Sequence, residues 1–324
     1  ILFNYSIETP LIKRNDGIYN PVDKIFDIII KILKNTFNFS KKEKFIIKGL
    51  SISSVGEAGI PIDKKHRALI DIIPWFDQRT EKIRNNIGIK NLDSKIYKHT
   101  GLNSDHFYSV YKILWIKKYK PKIYSQIYKW LPVNDYYAMK LTGNISTDYS
   151  QAMRTLLFNP KKLQWSKEMI NFFKIKGDIL PQIINAGDKK GNLTNDIKKK
   201  LNLKYDCIIA AGGHDHFVGI YGLGGFQKNT AVNSMGSAEA ISINTNKYFR
   251  NNDLKKGKFI SGVFKTKNNT SYYVVGSILT SGIIVEWFIN TFKIKNYNEL
   301  RNLFNIKEND NILFFPQFEY SHSN

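Results

Sequence analysis

The pentapeptide Gly212-Gly213-His214-Asp215-His216 sets one carboxylate between two imidazoles, directly after the apolar run YDCIIAA (205–211). Such a run reads as a buried strand, and the residues DHFVGIYG that follow read as a helix built from small residues. A carboxylate at that junction lies where open α/β sheets take their ligands, outside the carboxyl end of a strand. There Asp215 can accept a proton from a hydroxyl or help to hold a cation; it can equally well cap the helix. The two glycines allow close approach of a ligand or a positive φ. His214 and His216, two apart, are expected on opposite sides of the chain and so not to share a metal.

Two further glycine turns offer amides to an anion. In NSMGSAEA, Gly236 and Ser237 supply backbone and hydroxyl donors of the kind that nest a phosphate, or else close an ordinary hairpin. In TSG, Gly282 opens an apolar helix whose first N–H groups can face an anion or meet a simple Ser/Thr cap. Neither a G-x-x-x-x-G-K-[ST] loop nor a complete G-x-G-x-x-G occurs. Acid and aromatic groups recur at strand ends. Glu57 stands in SVGEAG, and Trp75, Asp77 and Arg79 stand in WFDQR. Those types suit polyol recognition, in which hydroxyls need polar partners and a sugar face needs an aromatic wall. For Asp77 and Arg79 a structural ion pair at a helix start fits equally.

The elements that must position these groups alternate. ILFNYSIETPLIKRNDGIYN reads as a strand and its turn. NPVDKIFDIIIKILKNTF reads as a helix, with Asn20 as N-cap and Pro21 at the first helical position. KFIIKGLSISS and ALIDIIPWFD read as strands, the second running into a helix at Asp77. From Tyr108 to about Phe173 the pattern is mainly helical, with PKIYSQIYKWLPVNDYYAMKLTG as one long helix. TAVNSMGSAEAISINT reads as a hairpin, and NKYFRNNDLKKGKF as a linker. This alternation predicts an α/β fold.

At 324 residues the chain is long enough for two domains. With 42% hydrophobic and 23% charged residues it has ordinary globular composition. No apolar run reaches the length of a bilayer span, so no membrane partner is expected. The single cysteine, Cys207, excludes an internal disulfide and points to a reducing cytoplasm. The net charge of +22 arises from lysines scattered along the whole chain. That scatter argues against nucleic acid, which calls for basic and aromatic residues clustered on one surface, and suits an anionic small molecule as well. The chain opens at Ile1, inside an apolar-alternating segment and without a methionine, and is expected to lack its natural start.

Taken in order, these segments resemble the FGGY carbohydrate kinases of the ribonuclease H-like, actin-like ATPase superfamily. WFDQRT (75–80), KLTGNISTDYSQA (140–152), LFNPKKLQW (157–165), GGHDH (212–216) and SMGSAE (234–239) carry the match. The resemblance implies two domains around a cleft and phosphorylation of a sugar or polyol hydroxyl by ATP with Mg2+. It implies a sugar-side domain over 1–246 and the start of a truncated nucleotide-side domain over 247–324. Asp215 takes the place of the catalytic base, with Gly236 and Ser237 as a phosphate turn. His216, Glu57 and Asp77 fall where family members contact sugar. The family's opening Asp-Gly-Thr hairpin and its closing portion are expected to be missing from the chain. A remnant that binds sugar without transferring phosphate is the alternative, and a homodimer is left open.

Overall fold

The structure, a computed structural model, describes residues 1–87, 89–236, 239–278 and 281–303. The chain first forms the hairpin β1 (Ile12–Arg14) and β2 (Gly17–Tyr19), then the long helix α1 (Val22–Lys42). Asn20 does not cap α1. Its backbone bridges Ile72, and the cap acceptor is Asp71, which receives Val22 N–H at 2.9 Å. Strand β3 (Gly49–Ser54) follows, and a loop through Glu57 leads into β4 (Gly59–Ile62).

ALIDIIPWFD forms no strand. It is an extended connection held by isolated bridges, Ile62 to Ala68 and Asn20 to Ile72. Its neighbours Ile72 and Ile73 are buried in two different cores, so neither face is left for a ladder. A short 3-10 turn at Gln78–Thr80 then leads into α2 (Glu81–Asn85), α3 (Ile89–Thr100) and α4 (Ser109–Tyr119).

The expected long helix after Pro121 is broken into α5 (Pro121–Gln126), β5 (Lys129–Pro132) and α6 (Val133–Thr142). Pro132 cannot continue a helix, and β5 pairs antiparallel with β4, where Trp130 covers Gly59. A Cβ at Gly59 would lie 2.5 Å from the Trp130 ring. Beyond α6, β6 (Thr147–Asp148) runs directly into α7 (Tyr149–Met153). The pair β7 (Phe158–Asn159) and β8 (Gln164–Trp165), helix α8 (Lys167–Phe173) and β9 (Ile183–Ile184), which pairs parallel with β6, come next.

The central sheet is completed by β10 (Lys189–Asn192), then α9 (Asn195–Leu201) and β11 (Ile208–His214). Its order is β10-β11-β3, with β11 antiparallel to β10 and parallel to β3. Helix α6 lies against this sheet, burying Ala138 and Leu141 with Leu193, Cys207 and Ile209. Helix α10 (Asp215–Gly222) leaves the end of β11 and is followed by β12 (Ala231–Met235) and β13 (Glu239–Thr245). The segment expected as a linker contains α11 (Asn252–Lys256) and is tied to the earlier chain by Arg250 Nη1, which donates to Tyr97 O at 3.2 Å.

Strands β14 (Ile260–Lys265) and β15 (Thr270–Ile278) precede α12 (Gly282–Thr291) and α13 (Tyr297–Leu303). A second sheet has the order β12-β13-β15-β14, and so draws strands from both sides of position 246. Phe217 and Ile220 of α10 pack on its Phe264, Tyr273 and Val275. Helix α10 therefore leaves one sheet and packs on the other. Among the described residues no helix is long and apolar enough to cross a membrane.

Candidate active site

Two strand ends meet at α10. In the parallel pair of β3 with β11, Ser54 stands opposite His214, so the Glu57 loop and Asp215 leave the sheet side by side. Glycine is required in β11. A Cβ at Gly212 would fall 2.0 Å from the Ile52 carbonyl oxygen, and Gly213 has φ +141° with Ser150 and Asp148 against it. The opening glycines thus serve close backbone packing beneath the site. Asp215 is the exposed member of the group, its side chain 50% accessible, and its Oδ1 accepts His216 N–H at 2.7 Å.

Glu57 is buried beside it. Its Oε1 accepts Arg154 Nε–H at 2.6 Å and also Arg154 Nη2, and lies 3.9 Å from His214 Nε2. The same imidazole nitrogen lies 3.8 Å from Asp215 Oδ1, so two carboxylates flank one ring. Burial pushes the Glu57 carboxyl up, but the Arg154 guanidinium, His214 and Lys112 together bring it down to about 2. Burial likewise takes the His214 imidazole down to about 4 despite Glu57 and Asp215, so the ring is neutral at physiological pH. His216 is also lowered by burial. The two rings are 6.3 Å apart in a T-shaped arrangement, rather than on opposite sides of the chain. Lys112 of α4 is fully buried, donates to Phe107 O at 2.5 Å, and is lowered by burial to about 7.

Beneath the site runs a buried polar frame. Asp148 caps α7, its Oδ1 accepting Ser150 N–H at 2.8 Å and Ser150 Oγ–H at 2.5 Å. Ser150 Oγ in turn accepts His214 N–H at 2.9 Å, which fixes the backbone one residue before Asp215. Burial, and then the nearby Asp135 charge, push Asp148 up to about 7. Asp135 makes a buried pair with Lys190 at 2.7 Å.

The remaining expected residues fall in three places. Trp75 is half-exposed and lines a cavity of about 340 Å³ with Ser54, Val55 and Ala58, on the loop that carries Glu57. Asp77 and Arg79 form a buried latch instead. Asp77 takes Arg79 N–H and Nε–H on Oδ1, and Ile18 N–H and Arg79 Nη2 on Oδ2. Arg79 closes the latch onto the β2 hairpin through Ile18 O and lies over the Tyr19 and Trp115 rings at 4.3 and 4.9 Å. Gly236 and Gly282 meet, Gly282 N–H donating to Gly236 O at 2.9 Å, so Gly236 lies at the start of α12. Ser237 lies outside the described residues.

Residues 6–222 match the N-terminal domain of the FGGY family of carbohydrate kinases. The chain belongs to that family. It is 30% identical over 259 residues to a xylulose kinase of Lactococcus lactis, covering 78% of this chain and 50% of the relative. It is 26% identical over 306 residues to a glycerol kinase of Thermococcus kodakarensis, covering 93% of this chain and 60% of the relative. Among solved structures, a ligand-bound xylulose kinase of Lactobacillus acidophilus superposes with a TM-score of 0.79 at 23% identity, over 91% of this chain and 59% of that one. The fold is therefore the ribonuclease H-like fold of the FGGY kinases. The chain spans between half and three-fifths of the length of these relatives.

Within this FGGY chain, reasoning from sequence overlooked Arg154 and Lys112 as members of the site and weighed His214 only as a metal ligand. The first two carry a legible signal, since each is the lone charge in an apolar stretch, AMRTLLF and YSVYKILWI, and such a charge implies a buried partner. For a nucleotide, Gly236 and the start of α12 lie together, but Gly282 N–H is given to Gly236 O and Ile284 N–H to Ser281 O, so neither of these two donors is open to a phosphate. For Mg2+ the fit is narrow. Among the described residues no group of three His, Cys, Asp or Glu side chains is placed to hold a metal ion, and the exposed acid of the site is Asp215. One carboxylate is nonetheless compatible with an ion held mainly by phosphates and water.

Proposed function

We propose that this chain is the acceptor-side part of a cytoplasmic FGGY kinase that transfers the γ-phosphoryl group of Mg-ATP to a hydroxyl of a sugar or polyol, with Asp215 as the base. The observation that carries this reading is the half-exposed Asp215 carboxylate at the end of β11, beside the buried Glu57 and on a backbone held by Ser150. A carboxylate is too weak a base to strip a free alcohol. Asp215 would instead orient the hydroxyl and accept its proton as the new P–O bond forms and ADP departs. Developing charge then needs no rearrangement of the protein, because the His214 backbone is already fixed through Ser150 to Asp148. Bound Mg-ATP would supply the phosphoryl group and neutralise charge on its phosphates.

Glu57 and His216 would accept and donate hydrogen bonds to the acceptor's other hydroxyls, and Trp75 would wall the neighbouring cavity. Asp77 and Arg79 would serve indirectly, as the latch that holds the loop after Trp75. The Gly236 turn and Gly282 would face the nucleotide, and Ser237 keeps its place there on sequence alone. Because β12 to β15 share one sheet, we place the domain break between α10 and β12 rather than after 246. The relatives' names put D-xylulose and glycerol first among acceptors to assay. Protein expressed from its complete natural reading frame should release ADP from Mg-ATP on addition of one such acceptor. The absence of acceptor-dependent ADP release across a panel of polyols, ketoses and sugar acids would sink the proposal.

A further inference from the structure

We infer that the Glu57–Arg154 pair makes the acceptor subsite selective for uncharged polyols and ketoses and closes it to sugar acids, with Arg154 as the positioning residue that keeps Glu57 in place and charged. The inference rests on the kinase reading above and deepens it.

What the subsite presents is mostly acceptor oxygens. Glu57 Oε1, held by Arg154, and Asp215 Oδ1 stand 3.9 and 3.8 Å from His214 Nε2. Burial keeps that imidazole neutral, so it does not offset them. Carboxylate oxygens reward an acceptor that brings O–H donors. A sugar acid brings instead another carboxylate, which needs a free guanidinium fork or an ammonium to meet it. The cations of the site are committed elsewhere. Arg154 gives both Nε and Nη2 to Glu57, and Lys112 is fully buried with its Nζ on Phe107 O. Arg79, the next guanidinium in the strand-end loops, is locked on Asp77. Like charges brought together at a binding site count against the wrong ligand.

Arg154 sets this selectivity through Glu57. Facing Glu57 are Arg154 at the end of α7, Lys112 and Tyr108 from α4 and its cap, His214 at the end of β11, and Asp215 and His216 from α10. Of these, Arg154 makes both hydrogen bonds to Oε1 and exerts the largest opposition to burial. Without it, burial would raise the Glu57 carboxyl toward neutrality. A protonated Glu57 would no longer repel an anion.

The test uses matched acceptors, glycerol with D-glycerate and D-xylulose with D-xylonate, in an ADP-release assay on protein from the complete reading frame. Wild type should prefer the neutral member of the better pair by at least ~100-fold in kcat/KM, with a ratio that stays flat below about pH 6, where Lys112 remains protonated and Glu57 ionised. The double variant Glu57→Gln/Arg154→Met removes both charges of the pair and should narrow the ratio by at least ~10-fold, chiefly through the acid's KM. Arg154→Met alone should make the ratio depend on pH, narrowing as pH falls, which a purely structural role would not do. Use of an acid within ~10-fold of its neutral partner by wild type, or an unchanged ratio in the double variant, would overturn the inference and leave the kinase reading standing. Failure to phosphorylate any acceptor would overturn both.

Discussion

Replacing Asp148 with Asn should change how stability depends on pH, in a direction the structure fixes. Asp148 is buried beneath the site, and burial together with the Asp135 charge lifts its carboxyl from an ordinary 3.8 to about 7. The folded state therefore holds a proton there that the unfolded chain releases above 3.8. Below 3.8 both states are protonated and folding incurs no penalty. Stability falls as pH rises from 3.8 toward 7 and levels off above it, a change of roughly 4 kcal/mol at ~1.4 kcal/mol per pH unit.

His214 acts in the opposite sense over nearly the same interval. Burial lowers it from 6.5 to about 4, so its contribution is complete above 6.5 and is lost as pH falls toward 4, roughly 3 kcal/mol in all. In wild type the two slopes oppose each other. Asp148→Asn keeps an oxygen for Ser150 and removes one slope, exposing the other. Relative to wild type, its stability should therefore rise with pH between about 4 and 7. Urea unfolding followed by tryptophan fluorescence across that range measures both. A difference between variant and wild type that is constant with pH would refute the reasoning.

Gly212→Ala should prevent the β3–β11 pairing, because the added Cβ meets the Ile52 carbonyl at 2.0 Å. The expected loss is roughly 3 kcal/mol or more, read as a lowered urea midpoint or as failure to recover folded protein. Asp77→Asn should weaken a buried ion pair and lower stability by about 3 kcal/mol, measured by the same unfolding. Acceptor KM should change less than ~3-fold, and a large KM effect at unchanged stability would return Asp77 to the substrate.

How far the sequence carried depended on whether local pattern or tertiary contact governed each element. Strand β11 and helix α10 were legible because an apolar run ends in two glycines and a potential helix start, all within a dozen residues. The hairpin β12–β13 was legible for a similar local reason. ALIDIIPWFD misled because apolar residues that enter two separate cores look like one strand. The helix expected after Pro121 misled because the β5 pairing with β4, residues separated by a long stretch of chain, outweighs helical spacing. At the site, Asp215 and Glu57 could be found from their place after strands. Their partner Arg154 lies 97 residues from Glu57, a contact that spacing does not encode. The choice at Asp77 and Arg79, between sugar contact and ion pair, turned on Ile18, whose N–H and carbonyl complete the latch from the first hairpin.

The role given to Asp215 is tested most directly by turnover and acceptor affinity measured on Asp215→Asn beside wild type, each from the complete reading frame. Asparagine keeps the size of the side chain and an oxygen for His216 N–H while withdrawing the proton acceptor. The expected result is an unchanged unfolding midpoint, acceptor affinity within a few-fold, and kcat lower by at least ~10²-fold. ADP formation at the wild-type rate by a folded Asp215→Asn protein would contradict the account.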